Sequence, residues 1–346
     1  MGRKLLWASL VLAPATFAAD LLHAGHVALF LLAAIALIPL AWLIGEATEH
    51  AAGHTGPGIG GFLNASFGNA PELIIALLAV AGGLPNVVRG SLAGSVVSNL
   101  LLVLGVTMLL GPDRAELDRD SLLAQLGLVV VAVLAFLVPA IPGFHGNPER
   151  HSLAIVGVPV ALVLLALYAA VTVANLRRHR RLHAASGEVA TGWSLPRALV
   201  ALGIATAATA VISEILVHSL DSFAKAAGLS EFFVAAVIVA IVGNAAEHGG
   251  AIVIARHGNA ELASEIAVSS SAQVALFVTP AVALLSFAVT PALSLAFRPV
   301  ELGAIGASAI AVWIAVADGR SRRWEGAVLV ALYAAVVGVF LAAGDR

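Results

Sequence analysis

The sequence contains no cysteine, and only 11% of its 346 residues are charged. Without cysteine the chain can form no disulfide, bind no metal through a thiolate and use no thiol as a nucleophile. A soluble globular domain has about 25% charged residues, so the low charge excludes that class. Hydrophobic residues make up 60% of the chain, and this composition indicates an integral membrane protein.

Two motifs that would suggest a nucleotide or a catalytic metal are also absent. No Gly-rich phosphate-binding loop follows a strand, so drive by ATP is not supported. The phrase His-Glu-x-x-His of zinc proteases does not occur either. An intramembrane metalloenzyme would therefore need dispersed ligands, and the candidates are Glu49, His50, His54 and His248. We expect a protein that is not an enzyme and that holds no cofactor.

Apolar runs long enough to cross a bilayer fill most of the chain. A transmembrane helix needs about 17–25 mostly apolar residues, and about eleven runs meet that length. We expect the spans near 5–22, 27–49, 57–82, 86–110, 121–141, 152–175, 195–219, 230–255, 261–287, 299–317 and 323–343. The sequence thus predicts an all-α polytopic protein embedded in a lipid bilayer.

Lysine and arginine are unevenly divided between the two predicted sides of the membrane. If the N-terminus is cytoplasmic, twelve of these residues fall on the cytoplasmic side and five on the other. Cytoplasmic loops carry such an excess, so we expect a cytoplasmic N-terminus, in the inner membrane of a prokaryotic cell. The basic run 177–181 lies beside a membrane helix, and we expect no nucleic-acid partner. The first run, 5–22, has a cleaved secretory signal as its alternative, but a retained helix is favoured.

A short phrase occurs twice, each time inside an apolar run. Residues 68–72 are Gly-Asn-Ala-Pro-Glu, and residues 243–247 are Gly-Asn-Ala-Ala-Glu. Each phrase places a carboxylate in the membrane, where a charge at the centre of a helix costs about 2.5–3.5 kcal/mol. Two such placements in matching contexts indicate a function.

The two phrases belong to a longer internal repeat. Their glutamates are 175 residues apart, and the same offset places Ser98 on Gln273. An offset of 165 residues places Glu49 on Glu214, one helix earlier in each half. Correspondences that recur in the same order along the chain define a repeat.

Apart from the first helix, the predicted spans form two groups of five. Because five is odd, the second group enters the membrane from the opposite side, so the halves are inverted repeats. Secondary transporters have this arrangement, with the substrate site near the midplane between the repeats. The predicted division is 1–26, a leading transmembrane helix; 27–175, the first five-helix repeat; 176–194, a basic cytoplasmic linker; and 195–346, the second five-helix repeat.

Each phrase is predicted to interrupt its helix. Pro71 removes a backbone hydrogen bond and Gly68 weakens the helix before it, and Gly243 occupies the position of Gly68 in the second repeat. Asn69 and Glu72 are three residues apart and share one helix face. An interrupted helix turns free backbone carbonyls toward a cavity, where they act as ligands.

The predicted ligands are all oxygen atoms. The carboxylates of Glu72 and Glu247, the amides of Asn69 and Asn244 and the freed carbonyls suit Ca²⁺ better than Zn²⁺ or Cu²⁺. Two carboxylates balance the charge of one divalent cation. When the cation leaves, mutual repulsion and lost solvation favour their protonation. We expect the pair to bind Ca²⁺ or protons alternately; the alternative is two structural glutamates bonded to neighbouring helices.

The next helix of each repeat supplies polar side chains at the same depth. An amide in hydrocarbon needs a partner, so Asn99 and Gln273, with Ser98 beside Asn99, are predicted to surround the cation. Packing between helices is the alternative for three further serines, which are Ser95, Ser269 and Ser271.

Four further residues are candidates for moving protons. Glu49 and Glu214 correspond in the repeat and lie toward opposite ends of their helices, so we predict one proton route on each side. Structural ion pairs are the alternative for both. His50 adjoins Glu49, and His248 adjoins Glu247, whose proton it would tune or share. A histidine satisfied in the core is the alternative for His248.

Taken together, these phrases resemble the calcium/proton exchanger family of the calcium/cation antiporter superfamily. Residues 64–74 and 94–105 resemble its first repeat, and residues 243–248 and 269–277 resemble its second. The similarity covers nearly the whole chain. Sodium/calcium exchangers are similar in architecture but usually carry Ser/Thr-rich phrases around their glutamates, where this chain has Gly-Asn-Ala.

The resemblance implies a site and a movement. It implies that helices 27–49 and 195–219 slide as a gating pair. It implies Ca²⁺ and protons alternating on Glu72 and Glu247, surrounded by Asn69, Asn244, Ser98, Asn99 and Gln273. The linker departs from the family, in which an acidic helix is common, because Glu188 is the only acid in 176–194. We expect no cation buffering by this linker.

The function expected from these observations is secondary active antiport. Ca²⁺ would leave the cytoplasm as protons enter, by alternating access. One alternative is an antiporter of the same fold for Na⁺, K⁺ or Mn²⁺, or one coupled to Na⁺. A passive cation channel is the other alternative, and saturable counter-transport separates the two classes.

Overall fold

The computed structural model describes residues 2–145, 147–182, 192–289 and 292–345. The helices are α1 (Lys4–Leu21), α2 (His26–Gly68), α3 (Ala70–Ala81), α4 (Pro85–Leu110), α5 (Arg119–Gly143), α6 (His151–Leu182), α7 (Leu195–Ala227), α8 (Glu231–Gly243), α9 (Ala245–Arg256), α10 (Ala260–Ala288), α11 (Pro299–Val316) and α12 (Arg323–Ala343). Two short strands, β1 (Ala115–Glu116) and β2 (Arg320–Ser321), pair antiparallel. Most of the predicted linker, 183–191, lies outside the described residues.

The helices have the length and composition of membrane spans. Within the described ranges, nine are long and apolar enough to cross a membrane, and the bent pair α8–α9 makes a tenth. The prediction of an all-α polytopic membrane protein is confirmed. The number of about eleven spans is not confirmed, because α3 has 12 residues and is too short to cross a bilayer alone.

One predicted boundary is wrong. The sequence predicted separate helices over 27–49 and 57–82, since the stretch between them is rich in glycine and contains Pro57. Instead, helical backbone continues from His26 to Gly68, and the interruption comes at Asn69. Helix propensity is a weak local preference that the rest of the fold often overrides.

The first helices of the two predicted repeats, α2 and α7, form the most extensive helix pair among the described elements. Ala33 and Ala47 on α2 and Ala205 on α7 are fully buried, and small side chains let membrane helices approach closely. Near one end of the pair, Phe30 stacks on Phe223 with ring centroids 4.2 Å apart. The α1 helix packs against both α2 and α7.

The centre of the bundle is built from α4, α8 and α10. A Cβ atom on Gly94 of α4 would lie 1.9 Å from the carbonyl oxygen of Ala236 on α8, so only glycine allows this approach. On the other side of α4, Ser271 of α10 donates a hydrogen bond to the carbonyl of Val96 at 3.4 Å. Val96 and Ser271 are separated by the repeat offset of 175 residues, so equivalent helices meet at equivalent positions.

The same three helices each contain a π turn. These turns cover Ser98–Val103 in α4, Val234–Val239 in α8 and Val274–Val278 in α10. Those in α4 and α10 end at positions 175 residues apart, which is again the repeat offset. Single π turns occur frequently at functional sites, and here they flank the interrupted helices.

A buried arginine fastens the bundle on one side. Arg89, at the start of α4, is fully buried and forms an ion pair with Glu149. It also donates to Asn86 Oδ1 at 3.0 Å and to the carbonyl of Ser294 at 3.4 Å. These bonds tie the start of α4 to the segments that precede α6 and α11.

Candidate functional site

Both predicted interruptions are present. Asn69 separates α2 from α3, and Asn244 separates α8 from α9, with a bend of 58° at the second interruption. Both asparagines have backbone angles near φ −95° and ψ 10° (−99°, 16° and −90°, 7°). Glu72 and Glu247 then lie in the first turns of α3 and α9, where the helix dipole favours negative charge.

Glu72 of the first repeat faces the interruption of the second. A Cβ atom placed on Gly243 would lie 3.5 Å from Glu72 Cγ. The side chain is 7% exposed, and its Oε2 atom has no hydrogen-bond partner among the described residues. Buried polar atoms are almost always bonded, so this oxygen is a candidate position for a proton or a cation.

Glu247 of the second repeat lies beside a cavity of about 610 Å³. Ser270 of α10 donates a hydrogen bond to Glu247 Oε2. The cavity is also lined by both glycines of the phrases, Gly68 and Gly243, and by Gln273. The two interruptions and the α10 helix therefore meet at one end of this cavity.

Side-chain amides connect the repeats around the two glutamates. Asn69 Nδ2 donates to Gln273 Oε1 at 2.7 Å, and Asn99 Nδ2 donates to Asn244 Oδ1 at 3.3 Å. Asn244 Nδ2 donates in turn to Ser95 Oγ at 2.9 Å. The structure thus brings together the four predicted amides in one network between the repeats.

The predicted serine is placed differently from the amides. Ser98 is fully buried, and its hydroxyl donates to the carbonyl of Ser95 in its own helix, at 3.1 Å. The serines that contact the other site residues are Ser95 and Ser270, which are equivalent in the repeat. That equivalence was the sequence signal for them, but small polar residues also pack between membrane helices, so it did not distinguish the two roles.

Glu49, the first predicted proton carrier, lines the same cavity as Glu247, as does Glu46 one turn before it. His50 is paired with Glu46 at 3.4 Å and stacks on Trp193 with ring centroids 4.9 Å apart. The structure therefore places Glu49 within the cavity and His50 against an aromatic side chain.

Glu214, the repeat equivalent of Glu49, lies in a different cavity of about 390 Å³. Asp20, His26 and His218 line the same space. Glu72 lies beside a third cavity of about 10 Å³, which is room for one water molecule at most. The structure thus separates the two predicted proton carriers, one in the cavity that reaches Glu247 and the other outside it.

His248 is the remaining predicted proton residue. It is 7% exposed, and its Nε2 atom lies 2.9 Å from Asn99 Oδ1. Among the described residues, no three or more His, Asp or Glu side chains are grouped so as to hold a metal ion. The four dispersed candidates for a metalloenzyme therefore do not come together.

Two interrupted helices that present carboxylates to one another across a polytopic bundle define a secondary membrane transporter. A family profile described as "Sodium/calcium exchanger protein" matches residues 25–177 and again residues 197–342. The chain belongs to this family.

Individual relatives match along almost their whole length. The chain is 38% identical to the Ca(2+)/H(+) antiporter ChaA of Bacillus subtilis (strain 168), over 95% of this chain and 96% of that protein. It is 35% identical to the Ca(2+)/H(+) antiporter of Aphanothece halophytica, over 94% of this chain and 92% of that protein.

Solved structures are similar in fold. Native YfkE superposes with a TM-score of 0.83 at 34% identity, covering 97% of this chain and 99% of that one. The H+/Ca2+ exchanger CAX superposes with a TM-score of 0.73 at 16% identity, covering 99% of this chain and 92% of that one, and this match concerns the fold alone.

Proposed function

We propose that this protein is a secondary active antiporter that exports Ca²⁺ from the cytoplasm in exchange for protons. The observation that carries the proposal is the pair of carboxylates at equivalent helix interruptions. Glu72 has a buried oxygen without a partner among the described residues, and Glu247 lines the large cavity. Relatives along nearly the whole chain are named Ca(2+)/H(+) antiporters.

Charge balance explains how one pair of glutamates couples the two ions. Two ionised carboxylates neutralise one Ca²⁺, and two protons neutralise the same pair when the cation has left. An unbalanced charge at the centre of a membrane helix costs about 2.5–3.5 kcal/mol. The site therefore changes sides readily with Ca²⁺ or with protons bound and poorly when it is empty.

The ligand set that we propose is made of oxygen atoms on both sides of the interruptions. The carboxylates of Glu72 and Glu247 bind the cation directly, and backbone carbonyls near Gly68 and Gly243 complete the shell. The predicted side-chain ligands shape the site from outside; they are Asn69, Asn244, Ser98, Asn99 and Gln273. Ca²⁺ accepts six to eight oxygens in flexible geometry, which suits such a mixed set.

Alternating access is supported by the separation of the cavities. The cavity that reaches Glu247 contains Glu49 of α2, and the other contains Glu214 of α7. With the N-terminus in the cytoplasm, α2 carries Glu49 toward the cytoplasmic side and α7 carries Glu214 toward the opposite side. We assign Glu49 and Glu214 to the two proton routes, and movement of α2 and α7 together exchanges the cavities.

The experiment that tests the proposal is uptake of radiolabelled Ca²⁺ into inverted membrane vesicles driven by a pH gradient. Glu72→Gln and Glu247→Gln are expected to abolish uptake, because either change removes half of the charge that binds the cation. Glu261→Gln, at an exposed position of α10, is the matched control. Uptake that survives both substitutions at the interruptions contradicts the proposal.

The same vesicles decide which ion is coupled. Dissipating the proton gradient is expected to stop Ca²⁺ uptake, and dissipating a Na⁺ gradient is expected to leave it unchanged. The opposite result would assign the protein to Na⁺-coupled exchange on the same scaffold.

A further inference from the structure

A chain of hydrogen bonds runs from the backbone of α8 to His248 and Glu247. It begins at Asn244, whose Nδ2 atom lies 2.8 Å from the carbonyl oxygen of Ala240 and 2.9 Å from Ser95 Oγ. A carbonyl oxygen only accepts hydrogen bonds, so the amide nitrogen of Asn244 must face it. The backbone therefore determines which way the Asn244 amide points.

The orientation of Asn244 determines that of Asn99. Asn244 Oδ1 is an acceptor, so Asn99 must present its nitrogen to it, at 3.3 Å. The second hydrogen on that nitrogen is directed to Ser270 Oγ at 3.0 Å. Asn99 Oδ1 then faces His248 Nε2 at 2.9 Å, so this nitrogen must carry a hydrogen.

Ser270 closes the chain at the carboxylate. Its oxygen accepts a hydrogen bond from Asn99, and its own hydroxyl hydrogen is left to donate to Glu247 Oε2. Ser270 is 3% exposed and Asn99 is 1% exposed, so water does not compete with these bonds. His248 follows Glu247 in sequence, and the chain returns to its neighbour through two other helices, α4 and α10.

We propose that His248 is a positioning residue that determines which cation the site accepts. Its Nε2–H group holds the Asn99 oxygen away from the cation, and through Asn99 and Ser270 it fixes one oxygen of Glu247. The inference rests on the proposed function and identifies what prepares the carboxylate for its ion.

The consequence for selectivity follows from counting the oxygens that remain. The side-chain oxygens of Asn99 and Asn244 are both engaged by donors within the protein. The cation is left with two carboxylates and the carbonyls at the interruptions, and two negative charges in a small space favour one divalent ion. Freeing the Asn99 oxygen adds a neutral ligand, which admits a monovalent ion such as Na⁺ beside a single carboxylate.

The test compares two substitutions of His248 in the purified, full-length protein. His248→Phe keeps an aromatic ring and removes the donor, and His248→Gln keeps an N–H donor. Equilibrium binding of radiolabelled Ca²⁺ at one fixed pH is measured with and without excess Na⁺. We expect His248→Phe to weaken Ca²⁺ binding about tenfold, as for loss of one buried hydrogen bond, with His248→Gln within about threefold. Na⁺ is expected to displace Ca²⁺ from the Phe variant only.

Ser270→Ala provides a second, independent readout. If His248 acts through Ser270, the double variant binds Ca²⁺ no more weakly than the weaker single variant. Multiplied effects overturn the proposal, as does a Gln variant as weak as the Phe variant. A structure of the Phe variant in which Asn99 keeps its orientation and Ser270 still bonds Glu247 overturns it as well.

The binding assay also separates this inference from the proposed function. A protein that binds Ca²⁺ but does not exchange it for protons contradicts the proposed antiport and leaves the comparison of His248 variants valid. Normal antiport with identical Ca²⁺ binding in all His248 variants contradicts only the positioning role. A wild-type protein that binds no Ca²⁺ contradicts both.

Discussion

The amide nitrogen of Asn69 lies 2.7 Å from the side-chain oxygen of Gln273, so the interruption of the first repeat is bonded directly to α10 of the second. Asn69 is fully buried, and Gln273 lines the cavity that reaches Glu247. This bond holds the first interruption against the helix that also positions Glu247 through Ser270.

The first prediction concerns this bond. Gln273→Leu removes the acceptor and is expected to lower stability by about 1 kcal/mol or more and to raise the KM for Ca²⁺. Gln273→Glu is the comparison, since it keeps an acceptor for Asn69, and it is expected to retain the thermal stability of the wild type. Thermal unfolding and vesicle uptake measure the two effects; equal stability of the Leu variant would show that the bond is not structural.

The second prediction tests the close approach of α4 and α8. Gly94→Ala places a methyl group 1.9 Å from the carbonyl oxygen of Ala236, which the helices can relieve only by separating. We expect a loss of about 1–3 kcal/mol, as for overpacked cores. Gly127→Ala, where no atom lies within 4 Å of the added methyl group, is the control. Thermal unfolding of both variants in one detergent gives the comparison, and similar melting temperatures would contradict the prediction.

The third prediction concerns the buried arginine. Glu149→Gln removes the charge that compensates Arg89, whose side chain is 0% exposed. An unpaired buried charge costs about 3–5 kcal/mol, so we expect poor expression or a much lower melting temperature. In the control, Asp120→Asn, the broken pair with Arg119 is exposed (92% and 51%) and is worth less than about 1 kcal/mol.

The fourth prediction concerns charge movement and pH. If Glu72 and Glu247 alone carry the exchanged ions, two protons move for each Ca²⁺ and transport is electroneutral. An imposed K⁺ diffusion potential is then expected to leave the exchange rate unchanged.

Protons and Ca²⁺ compete for the same carboxylates in this scheme. Lowering the pH on the side that offers Ca²⁺ fills the glutamates with protons, so the KM for Ca²⁺ rises, by up to about tenfold per pH unit for each competing proton. A rate that follows the imposed potential would add a third titrating group, for which Glu49 and Glu214 are the candidates.

The membrane class and the central residues could be predicted because hydrocarbon penalises charge so strongly. Glu72 and Glu247 are costly wherever they are not needed, and their equal contexts identified them as a pair. The interruptions were predicted from Gly68 and Pro71, whose effect on helices is local. The structure has both interruptions at the asparagine that follows the glycine.

Other features depended on contacts that a sequence does not reveal. The glycine-rich stretch after His50 indicates a loop by composition, yet its backbone continues the α2 helix. Ser270 differs from its neighbours Ser269 and Ser271 only in the direction of its side chain, which the packing of α9 and α10 determines. Arg89 is fully buried because Glu149 and Ser294, distant in sequence, meet it.

The short strand pair has a mechanical consequence. The β1 and β2 strands join the turn between α4 and α5 to the turn between α11 and α12, and Arg119 reinforces the junction by donating to the carbonyl of Ala317 at 2.6 Å. These four helices are thus coupled as a stator, against which α2 and α7 act as the moving part. Work from an ion gradient is then delivered to two helices, while the frame around the cation stays registered to itself.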